Sequence, residues 1–419
     1  MDLGPESDRP EILLSDGPVC GVVINEVTLR GRVPSNPPLY LTRRRLRARA
    51  AGSLLEVLEM SRLSRTTAIL AVGVLLIGTA AACGNNKKTS TAKKGTIALL
   101  LPESKTARYE AHDRPEFVAA FNALCSGCKI LYYNANQDAA LQQNQVDQAL
   151  TNGAKVLVLD PVDSASAAAS VAKAKAQNVP VVSYDRLITG GGKPDYYVSF
   201  DNEQVGTLQG NALLTALGAN PKRGKIVVIN GSPQDNNAKL FNRGAHSVLD
   251  GKVTIGKEYW TPDWSPDAAQ REMDQAITAL GKTAIIGVYA ANDGTAGGAI
   301  ASMKAAGFTK IPPTTGQDAE LAAIQRILAG DQYMTVYKAT KAEATAAAKL
   351  AYDLLQGKPS SQTTTPVNNG TIDVPSVLLT PVAVTAAQVK DTVVKDGFWT
   401  VADICTPAYA ADCTKYGVS

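Results

Sequence analysis

Val181-Val182-Ser183-Tyr184-Asp185-Arg186 starts as a strand of buried character and ends abruptly in a carboxylate and a guanidinium. In open parallel sheets, ligands sit outside the carboxyl ends of the strands, so charges placed there are candidate ligand contacts. An adjacent Asp and Arg supply acceptors and a rigid fork of donors, a pairing that suits a polyhydroxylated ligand. A local ion pair closing a loop is the plainer alternative. Other strands of the chain end in the same manner, and that recurrence favours a ligand.

On either side the chain alternates. Thr96–Leu101, Lys129–Tyr133, Val156–Leu159, Val179–Tyr184 and Tyr196–Phe200 read as strands. Helical spacing fills Pro115–Leu124, Ala139–Thr151, Ser164–Gln177 and Glu203–Leu217. The uninterrupted apolar run Val156–Leu159, ending at Asp160-Pro161, is what a strand covered on both faces looks like. A second set runs from the strand Lys225–Asn230 to the strand Met334–Tyr337, with an Ala-rich helix over Ala342–Leu355 after it. Strands alternating with helices imply parallel, doubly wound sheets with right-handed crossovers. Two comparable sets imply two similar α/β lobes.

In the second set the strands run into Gly231-Ser232-Pro233-Gln234-Asp235-Asn236-Asn237 and Asn292-Asp293-Gly294, Gly316-Gln317-Asp318 precedes a helix, and Tyr337-Lys338 ends a strand. Each Asp, Asn or Ser there is also an ordinary helix N-cap. Convergence of all of them with Asp185 and Arg186 on one cleft is harder to treat as capping alone. Trp260 and Trp264 flank Thr261-Pro262-Asp263, and a loop Trp in a cleft offers a flat apolar face to a sugar ring. Enzymatic patterns are missing: Gly190-Gly191-Gly192 does not open a helix, and Gly294-Thr295-Ala296-Gly297-Gly298 lacks the Gly-Lys-Ser/Thr ending of a phosphate loop. Only two histidines occur, His112 and His246, which argues against a His-based metal site or a Ser-His-Asp triad.

The chain has 419 residues and a formal charge of +4. Residues 1–65 carry 10 Lys and Arg against 8 Asp and Glu, leaving 32 against 30 for the rest, so the body has no electrostatic footprint for nucleic acid. From Met60 a charged segment with Arg62 and Arg65 precedes the apolar run Ala68–Ile77, small residues Gly78-Thr79-Ala80-Ala81-Ala82, and Cys83. That order describes a secretory signal over 60–82. A cysteine directly after the small residues resembles a lipoprotein cleavage site, with Cys83 lipidated and 83–94 a flexible tether. Residues 1–59 are expected to be an over-extended gene start. Four further cysteines, Cys125, Cys128, Cys405 and Cys413, allow three pairings. Proximity in sequence favours Cys125 with Cys128 and Cys405 with Cys413, as structural disulfides of an exported protein.

Several stretches together resemble the D-xylose-binding proteins of bacterial ABC sugar importers. They are Ser199-Phe200-Asp201-Asn202-Glu203, Gly231 to Phe241, Asn292 to Ile300, Gly316-Gln317-Asp318-Ala319-Glu320, Met334-Thr335-Val336-Tyr337-Lys338, Asn368-Asn369-Gly370, Asp373 to Pro381 and Lys395-Asp396-Gly397-Phe398. The resemblance covers about residues 95–400. It implies a type I periplasmic-binding-protein fold, α/β, with two Rossmann-like lobes of parallel sheet joined by a three-strand hinge. The lobes are expected over 95–206 plus 340–378 and over 207–339 plus 379–419. The implied contacts are Arg108, Asp185, Arg186, Asn237, Asn292, Asp318 and Lys338, with Tyr109 and Trp264 as stacking faces. The family has Trp where Tyr109 stands, and one extra residue lies between Tyr109 and Asp113. The resemblance further implies a monomeric, non-enzymatic, cofactor-free and metal-free binding protein for a monosaccharide. D-xylose is the expected sugar, with glucose, galactose or ribose as alternatives. Its partners would be an ABC permease and its ATPase, reached from the outer face of the cytoplasmic membrane through a lipid anchor. A sugar-presenting receptor for a membrane sensor and a sugar-converting enzyme are the rival readings.

Overall fold

A computed structural model describes residues 93–362 and 364–418. The expectations for the extension 1–59, the signal segment 60–82 and Cys83 lie outside the described residues. Twelve strands are described: β1 (Thr96–Leu101), β2 (Lys129–Asn134), β3 (Ala154–Leu159), β4 (Val181–Tyr184), β5 (Tyr196–Phe200), β6 (Lys225–Asn230), β7 (Ile255–Trp260), β8 (Ile285–Ala290), β9 (Thr335–Tyr337), β10 (Thr365–Asn368), β11 (Asp373–Leu379) and β12 (Val382–Val384).

The first lobe is a seven-stranded sheet in the order β10-β11-β5-β4-β3-β1-β2. All its pairings are parallel except the antiparallel β10–β11 hairpin. β1 is buried along nearly its whole length because apolar layers cover both faces. One layer packs Phe117, Phe121 and Leu350 against Leu99 and Val158, and the other packs Val146, Val171 and Ile188 against Leu100 and Leu157. The Ala-rich helix Thr340–Leu355 presents Ala344, Ala347, Ala348 and Ala351 to the first of these layers, where small side chains let it lie close.

The second lobe centres on the parallel trio β7-β6-β8 and the antiparallel pair β9–β12. An extended stretch joins them. Val288 N–H donates to the Pro313 carbonyl (2.9 Å), Thr315 N–H to Val288 (3.1 Å) and Val336 N–H to Gly316 (3.0 Å). The chain crosses between lobes three times: between β5 and the helix Asn202–Leu217, between β9 and the helix Thr340–Leu355, and between β11 and β12. Asn202–Leu217 runs unbroken through the expected 206/207 boundary. Its glycines Gly206 and Gly210 seat it against the helix Asn236–Leu249 of the second lobe, where a Cβ on Gly206 would stand 1.9 Å from the Phe241 carbonyl oxygen. That boundary therefore moves back to the end of β5, and β11 likewise passes through the expected 378/379 division.

Both disulfides join neighbours, Cys125 to Cys128 and Cys405 to Cys413, in the pairing that proximity favours. The extra residue after Tyr109 has a structural counterpart: Tyr109–Asp113 winds as a π-turn, the geometry that takes up one additional residue in a helix. No helix among the described residues is long and apolar enough to cross a membrane.

Candidate functional site

The carboxyl ends of the strands of both lobes face one small cavity. Arg108 and Tyr109 follow β1, Asp185 and Arg186 follow β4, Asp235 and Asn237 follow β6, and Trp264 follows β7. Asn292 follows β8, Gln317 and Asp318 end the stretch after it, and Lys338 follows β9. All nine residues expected from sequence line this cavity, together with Thr106, Asp235, Phe241 and Gln317, which were not expected. Each of the nine is at most 5% exposed, so the lobes stand closed over the space.

Local backbone geometry aims these groups inward. Asp185 has φ +51°, with Arg186 N–H bonded to the Tyr184 carbonyl (2.5 Å) in a tight turn. The Asp185 carbonyl accepts Ser199 Oγ (2.6 Å), Tyr197 OH (3.2 Å) and Asn237 Nδ2 (3.0 Å), which hold the strained conformation in place. Trp264 (φ +53°) and Asp318 (φ +93°) are also left-handed. Three cavity residues thus carry backbone strain that only a defined surrounding structure can sustain. The Trp264 ring lies over Gly231, where a Cβ would come within 2.0 Å of the indole, and it meets Phe241 edge-on at 6.3 Å.

Both lobes bring charge to the cavity, and the first backs its charges with further buried carboxylates. Arg108 forks onto Asp113 (2.7 and 2.8 Å) and reaches Glu343 (2.7 Å) and Asp185 (3.3 Å), with Asp318 at 3.7 Å. Tyr184 OH donates to the same Asp113 carboxylate. Lys338 pairs with Asp318 at 3.1 Å and stands 3.8 Å from Asp185. Tyr109 OH donates to Asp185 Oδ2 (3.2 Å) and accepts from Arg186 Nη2 (3.1 Å), while the Arg108 and Arg186 guanidinium carbons lie 5.4 and 5.7 Å from its ring. Arg186 also contacts Asp235 (3.0 Å) and the Pro161 carbonyl (3.2 Å).

Burial and these partners set the protonation states. Burial pushes the Asp185 carboxyl up, but Arg108, Lys338 and Arg186 outweigh it and bring it from 3.8 down to about 2. Burial drives the carboxyls of Asp160 and Glu343 well above the usual range despite Arg186 and Arg108 beside them. Burial disfavours the charged form of both guanidiniums, but the carboxylates beside them, Asp113 and Asp185 at Arg108 and Asp235 at Arg186, outweigh it and push both further up. Behind the second-lobe wall, burial raises Asp293 to about 7 and Glu320 to about 8.

Some polar atoms at the cavity make no hydrogen bond within the protein. Gln317 Oε1 is one, and Asp318 Oδ1 is held only by its ion pair with Lys338. Asn292 Oδ1 caps the helix Asp293–Ala305 through Thr295 N–H (2.9 Å), which leaves its amide nitrogen free for a ligand. Asn237, by contrast, is engaged at both ends of its amide, donating to the Asp185 carbonyl (3.0 Å) and accepting from Asn202 (3.0 Å). Trp260 stands apart at the surface, 36% exposed. Of the four unexpected residues, Asp235 reads in sequence as a helix cap, Phe241 as the core stripe of an amphipathic helix, and Thr106 and Gln317 carry no pattern of their own. Among the described residues no cluster of His, Cys, Asp or Glu could hold a metal ion.

Two α/β lobes closed over one polar cavity at their strand ends define a cleft-binding protein. The chain belongs to the periplasmic binding protein family, whose domain model matches residues 97–359, a family of binding proteins and not of enzymes. It is 39% identical over 312 residues to the D-xylose-binding periplasmic protein of Escherichia coli (strain K12), covering 73% of this chain and 92% of that one. It is 36% identical to the multiple sugar-binding periplasmic protein SbpA of Azospirillum brasilense, covering 82% of this chain and 99% of the other. Among solved structures it is similar to an ABC transporter solute-binding protein from Clostridium phytofermentans with bound β-D-glucose. There the TM-score is 0.69 at 28% identity, over 74% of this chain and 99% of that one.

Proposed function

We propose that this chain captures one monosaccharide, D-xylose, between its lobes and delivers it to a separate ABC permease and ATPase. The carrying observation is the cavity itself. Arg108, Asp185, Arg186, Asn237, Asn292, Asp318 and Lys338 surround one small space with the Trp264 indole in its wall. Carboxylates and amides accept from and donate to ring hydroxyls, the cations donate, and such charge-assisted bonds are strong where water is excluded. A ligand touching both lobes favours the closed arrangement by its differential affinity, with the three crossings serving as the hinge.

A second sugar specificity is favoured by one observation. Tyr109 places a hydroxyl between Asp185 and Arg186, where an indole would offer no oxygen. Thermal shifts with D-xylose, D-ribose, L-arabinose, D-glucose and D-galactose separate the two. The largest shift with xylose supports the first reading, and a larger shift with another sugar supports the second. No shift with any of them contradicts the transport reading.

The same proposal places the chain on the outer face of the cytoplasmic membrane, as a monomer held by a lipid on Cys83. The signal pattern from Met60 to Cys83 supports it. Replacing Cys83 by Ser should move the protein from the membrane to the soluble fraction; an unchanged membrane fraction contradicts the anchor.

A further inference from the structure

Asp235 stands where three parts of the molecule meet. Its Oδ2 faces Arg186 Nε from the other lobe at 3.0 Å and accepts the indole N–H of Trp264 at 3.1 Å. Its Oδ1 accepts Asn237 N–H at 2.8 Å and so caps the helix Asn236–Leu249. Asp235 and Arg186 are each 2% exposed and Trp264 is 4% exposed. The loop around Asp235 is tied to the first lobe a second time: Ser164 N–H donates to the Gln234 carbonyl (3.1 Å), and Asn236 N–H donates to Ser164 Oγ (3.0 Å).

We infer that Asp235 is a positioning residue, a lock formed across the cleft. It grips Arg186 only when the lobes close, and it holds the Trp264 face in the same act, so it governs how long the closed site keeps its sugar. The physical reason is an asymmetry. In the open arrangement the carboxylate and the guanidinium are both hydrated. In the closed one Asp235 is the nearer carboxylate to Arg186 Nε, at 3.0 Å against 3.6 Å for Asp160 of the first lobe, and a buried charge that loses its nearest partner is strongly disfavoured. Other groups engage the rest of the Arg186 fork, Nη1 on the Pro161 carbonyl and Nη2 on Tyr109 OH, both from the first lobe. Asp235 is the only carboxylate of the second lobe paired with it among the described residues. Association begins in the open form, before this pair exists, so the lock acts on release.

This inference rests on the cleft being the sugar site, and the test separates the two. Asp235→Asn in the full chain keeps a good helix cap, since Asn caps as well as Asp, and removes the charge facing Arg186. Stopped-flow tryptophan fluorescence with D-xylose should show release at least tenfold faster, with association within about threefold of the unaltered chain. Spin labels on Cys substituted at Ala172 and Lys252, one in each lobe, should report a larger open population in Asp235→Asn without any sugar. Unchanged release overturns the inference. So does a loss of affinity arising in association alone, which would mark Asp235 as a direct ligand contact. If the unaltered chain binds none of the five sugars, the transport reading fails, and the label distances alone decide the lock: identical distributions in the two proteins overturn it.

Discussion

The two walls of the cavity are built on different principles. The first lobe supplies Arg108, Asp185 and Arg186, backed by Asp113 and Glu343, a network in which every charge is already answered by another. The second lobe supplies the neutral groups Asn237, Phe241, Trp264, Asn292 and Gln317, together with Asp235 facing Arg186 and Asp318 beside Lys338. Removing a member of the first wall strands a partner in a dry interior. Removing a neutral member of the second takes away one hydrogen bond or one face. Pre-organisation by charge therefore dominates the first wall, whereas the second mixes charged pairs with neutral groups.

The largest break in that contrast is Asp185→Ala. Arg108, Lys338 and Tyr109 OH would all lose a carboxylate at once. Sugar affinity should fall by about 3 kcal/mol, more than a hundredfold, and the unliganded chain should melt lower as well. Retained affinity in a calorimetric titration would remove Asp185 from the site. Asn292→Ala should weaken binding less, by about 1–2 kcal/mol, through the lost amide contact and a weakened helix cap. If both variants lose equal affinity, the two walls are not different in kind.

Smaller still is a pH effect from behind the second wall. Asp293 and Glu320 have folded-state values raised to about 7 and 8, against unfolded values near 4. Between those limits the folded protein holds more protons than the unfolded one, so stability falls as pH rises from about 5 to 8. Asp185 acts in the opposite sense, since its value is depressed to about 2; its contribution is complete above about pH 4 and does not change in this window. With Asp293 alone contributing on the order of 2 kcal/mol, the melting temperature should be several degrees lower at pH 8 than at pH 5. A melting temperature that is flat or rising across that window would mean that these acids are ionised in the folded protein.

Most of the fold is legible in the sequence because buried parallel strands alternate with helices in a period that local sequence displays. The hairpin β10–β11 and strand β12 carry no such local signature. Their partners are distant in sequence, as in Ser376 beside Tyr197 and Val384 beside Thr335, and Pro366 and Pro375 interrupt the usual strand pattern. Ser164 opens a stretch of helical spacing, yet the helix begins only at Ala168, and Ser164 instead reaches across to the other lobe. At the site, Asp185 and Asn292 are legible as polar ends of apolar strands, and Asp318 as a polar residue ahead of a helix. The carboxylates behind Arg108 are not: Glu343 sits in an Ala-rich helix and Asp113 in a π-turn, and only the three-dimensional fold brings them to one guanidinium. The left-handed backbone at Asp185, Trp264 and Asp318 leaves no mark in residue type, since none of the three is glycine.

Binding of one sugar ring between the two unlike walls is tested most directly by a calorimetric titration of the chain with D-xylose, run beside Asp185→Ala and Asn292→Ala. One-to-one binding is expected in the unaltered protein, lost almost entirely in the first variant and weakened about tenfold in the second. Stoichiometric binding that survives both substitutions would contradict this picture, because the sugar would then sit somewhere other than this cavity.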